Sequence, residues 1–261
     1  MLRLVAKAGA TMKLTILGSG TGVPSLRRGS PGALVQTDGT SILLDSGSGT
    51  LRRMLEVGVT YKDLDVILYS HIHPDHISEL VPFLFACKYQ EDPRQKDLLV
   101  VGGKGFGEYL SNLRGVYGAW VVPDTFVMEV KEVRADAFEV ETVRIRTLPV
   151  KHAAESVGYR LETQDGQTLV YSGDTDYCRN IVALAKGADV LLLEASFPET
   201  LKTNGHLTPS LAGRIAEEAG CKKLMLTHFY PPCDQIDIRR SCQKFFSGEV
   251  IVAEDMMAIE L

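Results

Sequence analysis

Three of the six histidines in this 261-residue chain fall within one short segment, His71-Ile72-His73-Pro74-Asp75-His76. An apolar stretch with strand character precedes the segment and an apolar helical stretch follows it, which is not the setting of an incidental surface cluster. Alternate side chains of an extended segment point the same way, so His71 and His73 can share one cation. Asp75 and His76 lie where the chain turns into the helix and can face a second cation. Imidazole and carboxylate ligands suit zinc, and also manganese or iron.

Three further candidate ligands, His152, Asp174 and His228, each directly follow a predicted strand. Taken singly, they are equally well interpreted as a strand-end histidine, a turn aspartate and a core histidine. Open α/β folds place their sites at the carboxyl ends of strands, so the shared position favours a joint metal site. His206 differs, because it lies in a polar loop before a helix and is otherwise an exposed loop histidine. Glu194 is otherwise a structural acid at a strand end.

Short aliphatic or β-branched stretches alternate with amphipathic helical stretches along the chain. The predicted strands are residues 14–17, 33–37, 41–44, 66–69, 98–101, 125–130, 143–148, 158–162, 168–171, 190–193, 223–226 and 250–252. The predicted helices are residues 50–57, 77–89, 105–117, 177–186, 209–219 and 236–246. The pattern alone indicates an α/β fold, and the order of elements fits a four-layer αββα sandwich with one continuous core.

The HxHxDH spacing of residues 71–76 is the signature of the metallo-β-lactamase superfamily, and the rest of the chain resembles that superfamily from end to end. Within it, the chain resembles the ribonuclease Z-like branch. The matching motifs are GSGTGVP at 18–24, LLDSG at 43–47, His152 with SVGYR at 156–160, YSGDT at 171–175, LEASF at 193–197, GHLT at 205–208 and LTH at 226–228. The resemblance implies the αββα metallo-β-lactamase fold.

The resemblance also implies two divalent metal ions, zinc in the first place, with Mn2+ or Fe2+ as alternatives. It assigns the ligands as follows: His71, His73 and His152 to one ion, Asp75, His76 and His228 to the other, and Asp174 between them. It makes His206 a proton donor or charge stabiliser that Glu194 orients.

Such a site would hydrolyse its substrate without a serine or cysteine nucleophile. Two metal ions would hold a bridging water and lower its pKa towards neutrality, giving a hydroxide that attacks phosphorus or a carbonyl carbon. Asp75 would bind metal and accept a proton from the nucleophile, while His206 would protonate or stabilise the leaving oxygen. The resemblance therefore predicts a phosphodiesterase, a ribonuclease Z-like endonuclease.

Three departures from the branch bear on transfer-RNA processing. The branch carries a protruding tRNA-binding arm between its third and fourth metal motifs, but His152 and Asp174 are only 22 positions apart, which leaves no room for it. Leu207 stands where the branch has serine after the histidine of its His-Ser-Thr motif. The segment after His228 reads FYPP instead of the usual serine and arginine pattern. A cyclic nucleotide or short nucleic acid is therefore as good a candidate substrate as a tRNA precursor.

Two other functions remain open: a carboxylic-ester, lactone or thioester hydrolase on the same fold, and a non-catalytic metal-binding module. The second is disfavoured because every expected ligand type is present. A di-iron oxidoreductase is disfavoured because the corresponding HxExD pattern has glutamate where this chain has His73.

Composition sets the remaining expectations. A net charge of −5 gives no general attraction to nucleic acid, and no apolar run reaches the length of a bilayer span. Lys7 interrupts the apolar N-terminus, which disfavours a signal peptide. The five scattered cysteines form no CxxC pair and predict neither a disulfide framework nor a thiolate zinc site. We expect a cytoplasmic protein without a membrane partner, with one domain at 12–261 and an extension of little role at 1–11. A homodimer is common in the resembling branch, although no sequence stripe requires one.

Overall fold

Two mixed seven-stranded sheets pack face to face in this computed structural model, which describes residues 11–261. Helices cover the outer face of each sheet. The predicted four-layer αββα sandwich is confirmed. The N-terminal extension predicted at 1–11 lies outside the described residues, apart from Thr11.

The first sheet is built mainly from the first half of the chain. Its strands are β1 (Lys13–Gly18), β2 (Gly32–Thr37), β3 (Thr40–Leu44), β4 (Val66–Leu68), β5 (Leu98–Gly103), β6 (Met128–Val133) and the C-terminal β14 (Ala258–Glu260), in the order β14-β1-β2-β3-β4-β5-β6. Its helices are α1 (Thr50–Glu56), α2 (Pro74–Ile77), α3 (Leu80–Ala86) and α4 (Phe106–Tyr117), with a 3₁₀ turn at Gly118–Val121. Strands β3 to β6 run parallel.

The second sheet follows along the chain. Its strands are β7 (Asp136–Val140), β8 (Val143–Pro149), β9 (Val157–Thr163), β10 (Thr168–Tyr171), β11 (Val190–Glu194), β12 (Lys223–Thr227) and β13 (Glu249–Val252), in the order β13-β12-β11-β10-β9-β8-β7. Its helices are α5 (Arg179–Ala185), α6 (Pro209–Ala219) and α7 (Ile238–Gln243), with 3₁₀ turns at Glu199–Leu201 and Pro231–Gln235. Strands β10 to β13 run parallel. Among residues 11–261, no helix has both the length and the apolarity needed to cross a membrane.

Central strands are apolar at nearly every position because both of their faces are buried. On β11, Val190 and Leu192 pack between the two sheets, whereas Leu191 and Leu193 pack against the helices of the second sheet. Strand geometry produces this division, since successive side chains point to opposite faces. The sandwich therefore has three apolar layers, one between the sheets and one under each set of helices.

The carboxyl ends of β4 and β10 meet closely at one edge of the sandwich. Gly173, just after β10, has a positive φ of 56°, and a Cβ atom there would lie 2.3 Å from the Cβ of Ser70, just after β4. Only glycine permits this approach without displacing the backbone. The contact brings Asp174, the predicted bridging residue, close to the histidine segment that begins at His71.

The helix predicted at 77–89 is confirmed only over α3 (Leu80–Ala86), because the chain breaks at residues 78–79 and Ile77 ends the separate helix α2. At the break, the Glu79 carboxylate accepts hydrogen bonds from the backbone N–H groups of Gly49 and Leu51, each at 2.6 Å, at the start of α1. The Glu79 N–H donates to the Ser46 carbonyl at 3.0 Å. These long-range contacts override the local helical pattern.

Two strands, β7 and β14, were not predicted. β7 pairs with β8 across a two-residue turn at the edge of its sheet, and its side chains are half-buried or exposed, so the sequence shows little apolar alternation there. β14 has three residues and pairs with β1 at the edge of the other sheet. Edge strands need less apolar sequence than central ones, because one backbone edge and often one face remain in contact with water.

Replacing Leu192 with alanine should lower the free energy of unfolding by about 2–5 kcal/mol, because Leu192 is buried between the sheets and the change leaves a cavity there. The matched control is Leu55→Ala on α1, where the side chain is 60% exposed and the change should be within about 0.5 kcal/mol. Chemical denaturation followed by circular dichroism measures both. Equal losses of unfolding free energy in the two variants would contradict the placement of Leu192 in the apolar layer between the sheets.

Candidate metal centre

The first group of candidate ligands combines residues that follow β4, β8 and β10. One nitrogen from each of His71, His73 and His152 and one oxygen from Asp174 all lie within 4.8 Å of one another. The Nδ1 of His73 and the Nε2 of His152 are 3.1 Å apart. The structure thus brings together residues up to 103 positions apart in the sequence, from His71 to Asp174.

The second group contains Asp75, His76 and His228, whose ligand atoms also lie within 4.8 Å of one another. Asp75 and His76 belong to the short helix α2, and His228 directly follows β12. The Nε2 atoms of His76 and His228 are 3.2 Å apart, and Asp75 Oδ2 is 3.5 Å from His228 Nε2. The prediction had divided the residues into the same two groups.

Asp174 lies between the groups and turns one carboxylate oxygen towards each. Its Oδ1 is 3.3 Å from His76 Nε2 and 3.2 Å from His228 Nε2. Its Oδ2 is 3.9 Å from His71 Nε2 and 3.8 Å from His152 Nε2. A carboxylate in this position can bridge two cations.

Two buried atoms of the centre, His71 Nε2 and Asp174 Oδ1, have no hydrogen-bond partner among residues 11–261. A buried polar atom without a partner is costly, and in a native protein it points to an unmet interaction. Two nitrogen ligands of one tetrahedral zinc ion, each about 2.0–2.1 Å from the metal, are roughly 3.3 Å apart, close to the spacing of the neighbouring imidazole nitrogens. The donor set and its unmet atoms therefore fit divalent cations.

Four histidines are held from outside the centre through their Nδ1 atoms. The acceptors are as follows: Ser70 Oγ for His71 at 3.0 Å, Asp45 Oδ2 for His76 at 2.7 Å, the Gly205 carbonyl for His152 at 2.9 Å, and Ser196 Oγ for His228 at 2.9 Å. Both serine hydroxyls donate to a carboxylate, so they accept from the imidazole. Each Nδ1 therefore carries a proton, and each Nε2 is directed at the centre, the orientation that metal ligation requires.

Asp45 is a functional residue that sequence reasoning missed. Its buried carboxylate accepts from His76 and from the Tyr171 hydroxyl at 2.6 Å, and from the Ser70 N–H and hydroxyl at 2.7 Å each. It therefore ties both ligand-bearing sheets to one anion. The sequence placed Asp45 in the LLDSG motif without a role. The one signal in the sequence that could have indicated this role is the position of Asp45, an acidic residue directly after the apolar strand β3.

Electrostatics in the centre favour an ionised carboxylate. Burial by itself raises the pKa of Asp174, but the imidazoles of His228 and His76 outweigh it and hold that pKa well below its usual value. Burial, and then the neighbouring His76, lower the pKa of His71 far below its usual value, so His71 is neutral. Burial also lowers the pKa of His76, but Asp174 and Asp45 outweigh it and raise that pKa. The carboxylates of Asp174 and Asp45 therefore favour positive charge at the position of the His76 imidazole.

His206 and Glu194 form a pair beside the centre, as predicted. The Nδ1 of His206 donates to Glu194 Oε1 at 3.0 Å and lies 3.8 Å from Asp174 Oδ2. Glu194 is buried and also accepts from the N–H groups of Thr175 at 2.7 Å and Leu207 at 3.0 Å. Burial lowers the pKa of His206, but Glu194 raises it above its usual value overall. A half-buried imidazole that keeps its proton can act as an acid.

The glycine-rich loop at 18–24 contacts the centre through its backbone. The Gly22 N–H donates to Asp75 Oδ2 at 3.0 Å, and a Cβ atom at Gly22 would lie 3.2 Å from the Asp75 Cβ. The Asp255 carboxylate fixes this loop by accepting from the N–H groups of Ser19 at 2.8 Å and Gly29 at 2.7 Å. The loop therefore orients one candidate ligand.

Comparison with known proteins identifies the family of this chain. Residues 40–229 match the family model described as the beta-lactamase superfamily domain. The chain belongs to this superfamily. Within the superfamily, ribonuclease Z of Archaeoglobus fulgidus is 30% identical over 308 aligned positions, which cover 95% of this chain and 97% of that protein. The chain is thus a ribonuclease Z-like member of the superfamily and a metal-dependent hydrolase.

Solved structures of the superfamily show the same architecture. The metallo-beta-lactamase fold protein YhfI from Bacillus subtilis superposes with a TM-score of 0.83, at 28% identity, over 96% of this chain and 100% of that chain. The short form of human tRNase Z has a TM-score of 0.76 at 24% identity, over 95% of this chain and 98% of that chain, which shows the fold alone.

This chain lacks the protruding arm that the ribonuclease Z-like branch carries between its third and fourth metal motifs, which here contain His152 and Asp174. The stretch between His152 and Asp174 consists of β9, β10 and their connections. The alignment with the Archaeoglobus protein is longer than the 261 residues of this chain, so that relative carries segments that are absent here. The sequence prediction of a member without the arm is confirmed.

Replacing Asp174 with alanine should abolish both bound divalent metal and turnover, because the change removes the oxygens that face both ligand groups. Metal is measured by elemental analysis of protein that has been loaded with Zn2+ and gel-filtered. The control is Asp124→Ala, since that carboxylate is 62% exposed and pairs only with Lys88 among the salt bridges of the described residues. Full metal content in folded Asp174→Ala protein would contradict the centre.

Proposed function

We propose that this protein is a binuclear, divalent-metal-dependent phosphodiesterase of the ribonuclease Z type. The observation that carries the proposal is the position of Asp174, whose two carboxylate oxygens each face a separate group of imidazoles. A site for one ion would need only one group of imidazoles, whereas here each oxygen of the buried carboxylate faces its own group. The ribonuclease Z relatives support the choice of phosphodiesters as substrates.

The ligands of the two ions would be those that the structure groups. One ion would be held by His71, His73 and His152, the other by Asp75, His76 and His228, with Asp174 shared. Five imidazoles and two carboxylates favour zinc, and also suit Mn2+ or Fe2+. When bound, two such ions would lower the pKa of a water molecule towards neutrality and offset the charge of the transition state.

The protein's own groups would orient the attacking water. Asp75 stays ionised at neutral pH, because His228 and His76 lower its pKa despite its burial. The Gly22 N–H occupies its Oδ2 atom and holds the carboxylate in place. Asp75 can therefore accept a hydrogen bond, and then a proton, from the nucleophile. Its role would combine metal binding with proton acceptance.

His206 would act on the leaving group. Its Nδ1–H is engaged by Glu194, which raises the pKa of the imidazole and fixes its orientation. The second nitrogen, Nε2, is then available to donate a proton to the oxygen that leaves phosphorus. Glu194 would serve as a positioning residue, because it acts through His206.

Two lysines near the centre agree with an anionic substrate. Lys151 precedes His152 and is 64% exposed, and Lys202 belongs to the loop that carries His206. Both ammonium groups face Asp176 Oδ2, at 3.8 Å and 3.0 Å respectively. A phosphodiester would meet positive charge on this side, which a neutral lactone or carboxylic ester would not need.

The substrate would be a short one. Without the arm between the third and fourth motifs, the chain lacks the feature that would hold the body of a tRNA at that position. Cyclic nucleotides and short nucleic acids need no such support. A tRNA precursor remains the second candidate, because the relatives are named ribonuclease Z.

Replacing His206 with alanine should leave both metal ions bound and slow hydrolysis of bis(p-nitrophenyl) phosphate by roughly 10²–10⁴-fold, because a proton donor is lost while the ligand groups stay intact. Turnover and metal content are measured on the same preparation. An unchanged rate would exclude the leaving-group role. Loss of metal would instead make His206 a ligand, which its position within 4.8 Å of Asp174 and His228 allows geometrically.

A substrate panel tests the reaction class. We expect the wild-type protein with Zn2+ or Mn2+ to hydrolyse bis(p-nitrophenyl) phosphate and short oligonucleotides faster than a lactone, a thioester or p-nitrophenyl acetate. A tRNA precursor with a 3′ extension should be a poorer substrate than the short oligonucleotides, measured as kcat/KM. Preference for the carboxyl esters would refute the phosphodiesterase, and preference for the precursor would refute the short substrate.

A further inference from the structure

Phe197 and Tyr230 form an aromatic pair beside the centre that the proposed mechanism does not use. Their ring centroids are 4.4 Å apart and their planes differ by 16°, so the rings are stacked. Both side chains are only partly buried. The Tyr230 hydroxyl has no hydrogen-bond partner among residues 11–261.

Backbone contacts build this pair from the segments that carry the catalytic groups. The Tyr230 N–H donates to the Ser196 carbonyl at 3.2 Å, and the Phe197 N–H donates to the Leu207 carbonyl at 3.3 Å. Tyr230 lies two residues after His228, in the segment where the sequence departs from the branch pattern. The pair is therefore fixed relative to the centre and is not a loose surface contact.

The pair stands beside His206, the proposed donor of a proton to the leaving group. The ring of Phe197 is 5.6 Å from that of His206, and the ring of Tyr230 is 6.2 Å from His206 and 6.0 Å from His228. The interplanar angles of these three contacts are 71°, 77° and 75°. The imidazoles of His206 and His228 are parallel within 11°. The stacked pair thus forms a wall nearly perpendicular to the imidazole that would protonate the leaving oxygen.

We propose that Phe197 and Tyr230 form a platform for the nucleobase of the leaving nucleoside, and so determine specificity for nucleotide substrates. The inference rests on the proposed function. Water would give a proton to Asp75 and add to phosphorus, the bond from phosphorus to the leaving oxygen would break, and that oxygen would take a proton from His206. The leaving nucleoside is then released without phosphate, and its base lies against the aromatic wall. Aromatic side chains bind bases of any sequence through their π-faces, and the free phenol adds a polar contact at the base edge.

Three dinucleotides separate this role from a structural one. The first dinucleotide carries both bases. In the second, a stable abasic analogue replaces the nucleoside that is released without phosphate. In the third, the abasic analogue replaces the nucleoside that keeps the phosphate. Product analysis of the intact substrate identifies which nucleoside is which. Tyr230→Ala should lower kcat/KM about 5- to 150-fold for the first and third substrates, and should leave kcat/KM for the second unchanged.

The variants are chosen so that folding and chemistry can be told apart. Tyr230→Phe keeps the ring and should retain most of the base preference, whereas Tyr230→Leu keeps apolar volume without a ring and should lose it. Phe197→Ala should behave as Tyr230→Ala does. The matched control is Tyr117→Ala on α4, where a tyrosine is 44% exposed and all three substrates should be unaffected. Metal content and thermal unfolding are measured for each.

The outcomes distinguish the inference from the function on which it rests. The platform would be overturned if Tyr230→Ala lowered kcat/KM equally for all three substrates. It would also be overturned if the loss depended on the base of the nucleoside that keeps the phosphate. If the wild type hydrolyses bis(p-nitrophenyl) phosphate but treats the first two dinucleotides alike, the platform is refuted and the phosphodiesterase stands. If it hydrolyses no phosphodiester, the proposed function itself fails.

Discussion

The carboxylate of Asp174 is buried at the junction of two sheets, and the surrounding structure must supply positive charge to it. An ionised group in such a place is stable only when it is paired, because burial removes its contact with water. Here imidazoles from both sheets surround it, and two buried atoms of the cluster, Asp174 Oδ1 and His71 Nε2, lack hydrogen-bond partners. Cations would satisfy these atoms at once. The glycine at 173, the short helix α2 and the parallel strand ends all serve to bring the ligands to this carboxylate.

Holding the imidazoles in place requires both hydrogen bonds and strained backbone. Asp45 anchors His76 from outside the centre, and Ser196 does the same for His228. Asp45 and His228 themselves have φ values of 55° and 59°, in the left-handed region that non-glycine residues seldom adopt. Such conformations cost about 1–3 kcal/mol each and persist where the surroundings over-determine them. Strain at one candidate ligand, His228, and at Asp45, which orients another, is typical of a site whose geometry is fixed before a cation binds.

The sequence predicted which candidate ligands lie close together better than it predicted the elements that carry them. The spacing of His71, His73 and Asp75 reports local geometry directly, because alternate side chains of an extended segment share a side. The helix predicted at 77–89 was too long because the break before α3 depends on Glu79, whose partners at the start of α1 lie 30 and 28 positions away in sequence. The role of Asp45 was missed for the same reason, since its partners His76 and Tyr171 lie 31 and 126 positions away in sequence. Hydrogen bonds between residues far apart in sequence do not change the local pattern of apolar and polar residues, so this pattern cannot predict them. A family motif can, because its residues occupy the same places in related structures.

Each half of the chain contributes ligands that are incomplete alone. Strands β1 to β6 precede the link at 134–135 and β7 to β13 follow it, while β14 returns to the first sheet beside β1. His71 and His73 come from the first half, and His152 and His228 from the second. Under the proposed function, cation affinity and the docking of the halves would be thermodynamically linked, so that each would favour the other. A protein cut at this link would retain its centre only while the separate pieces stayed associated.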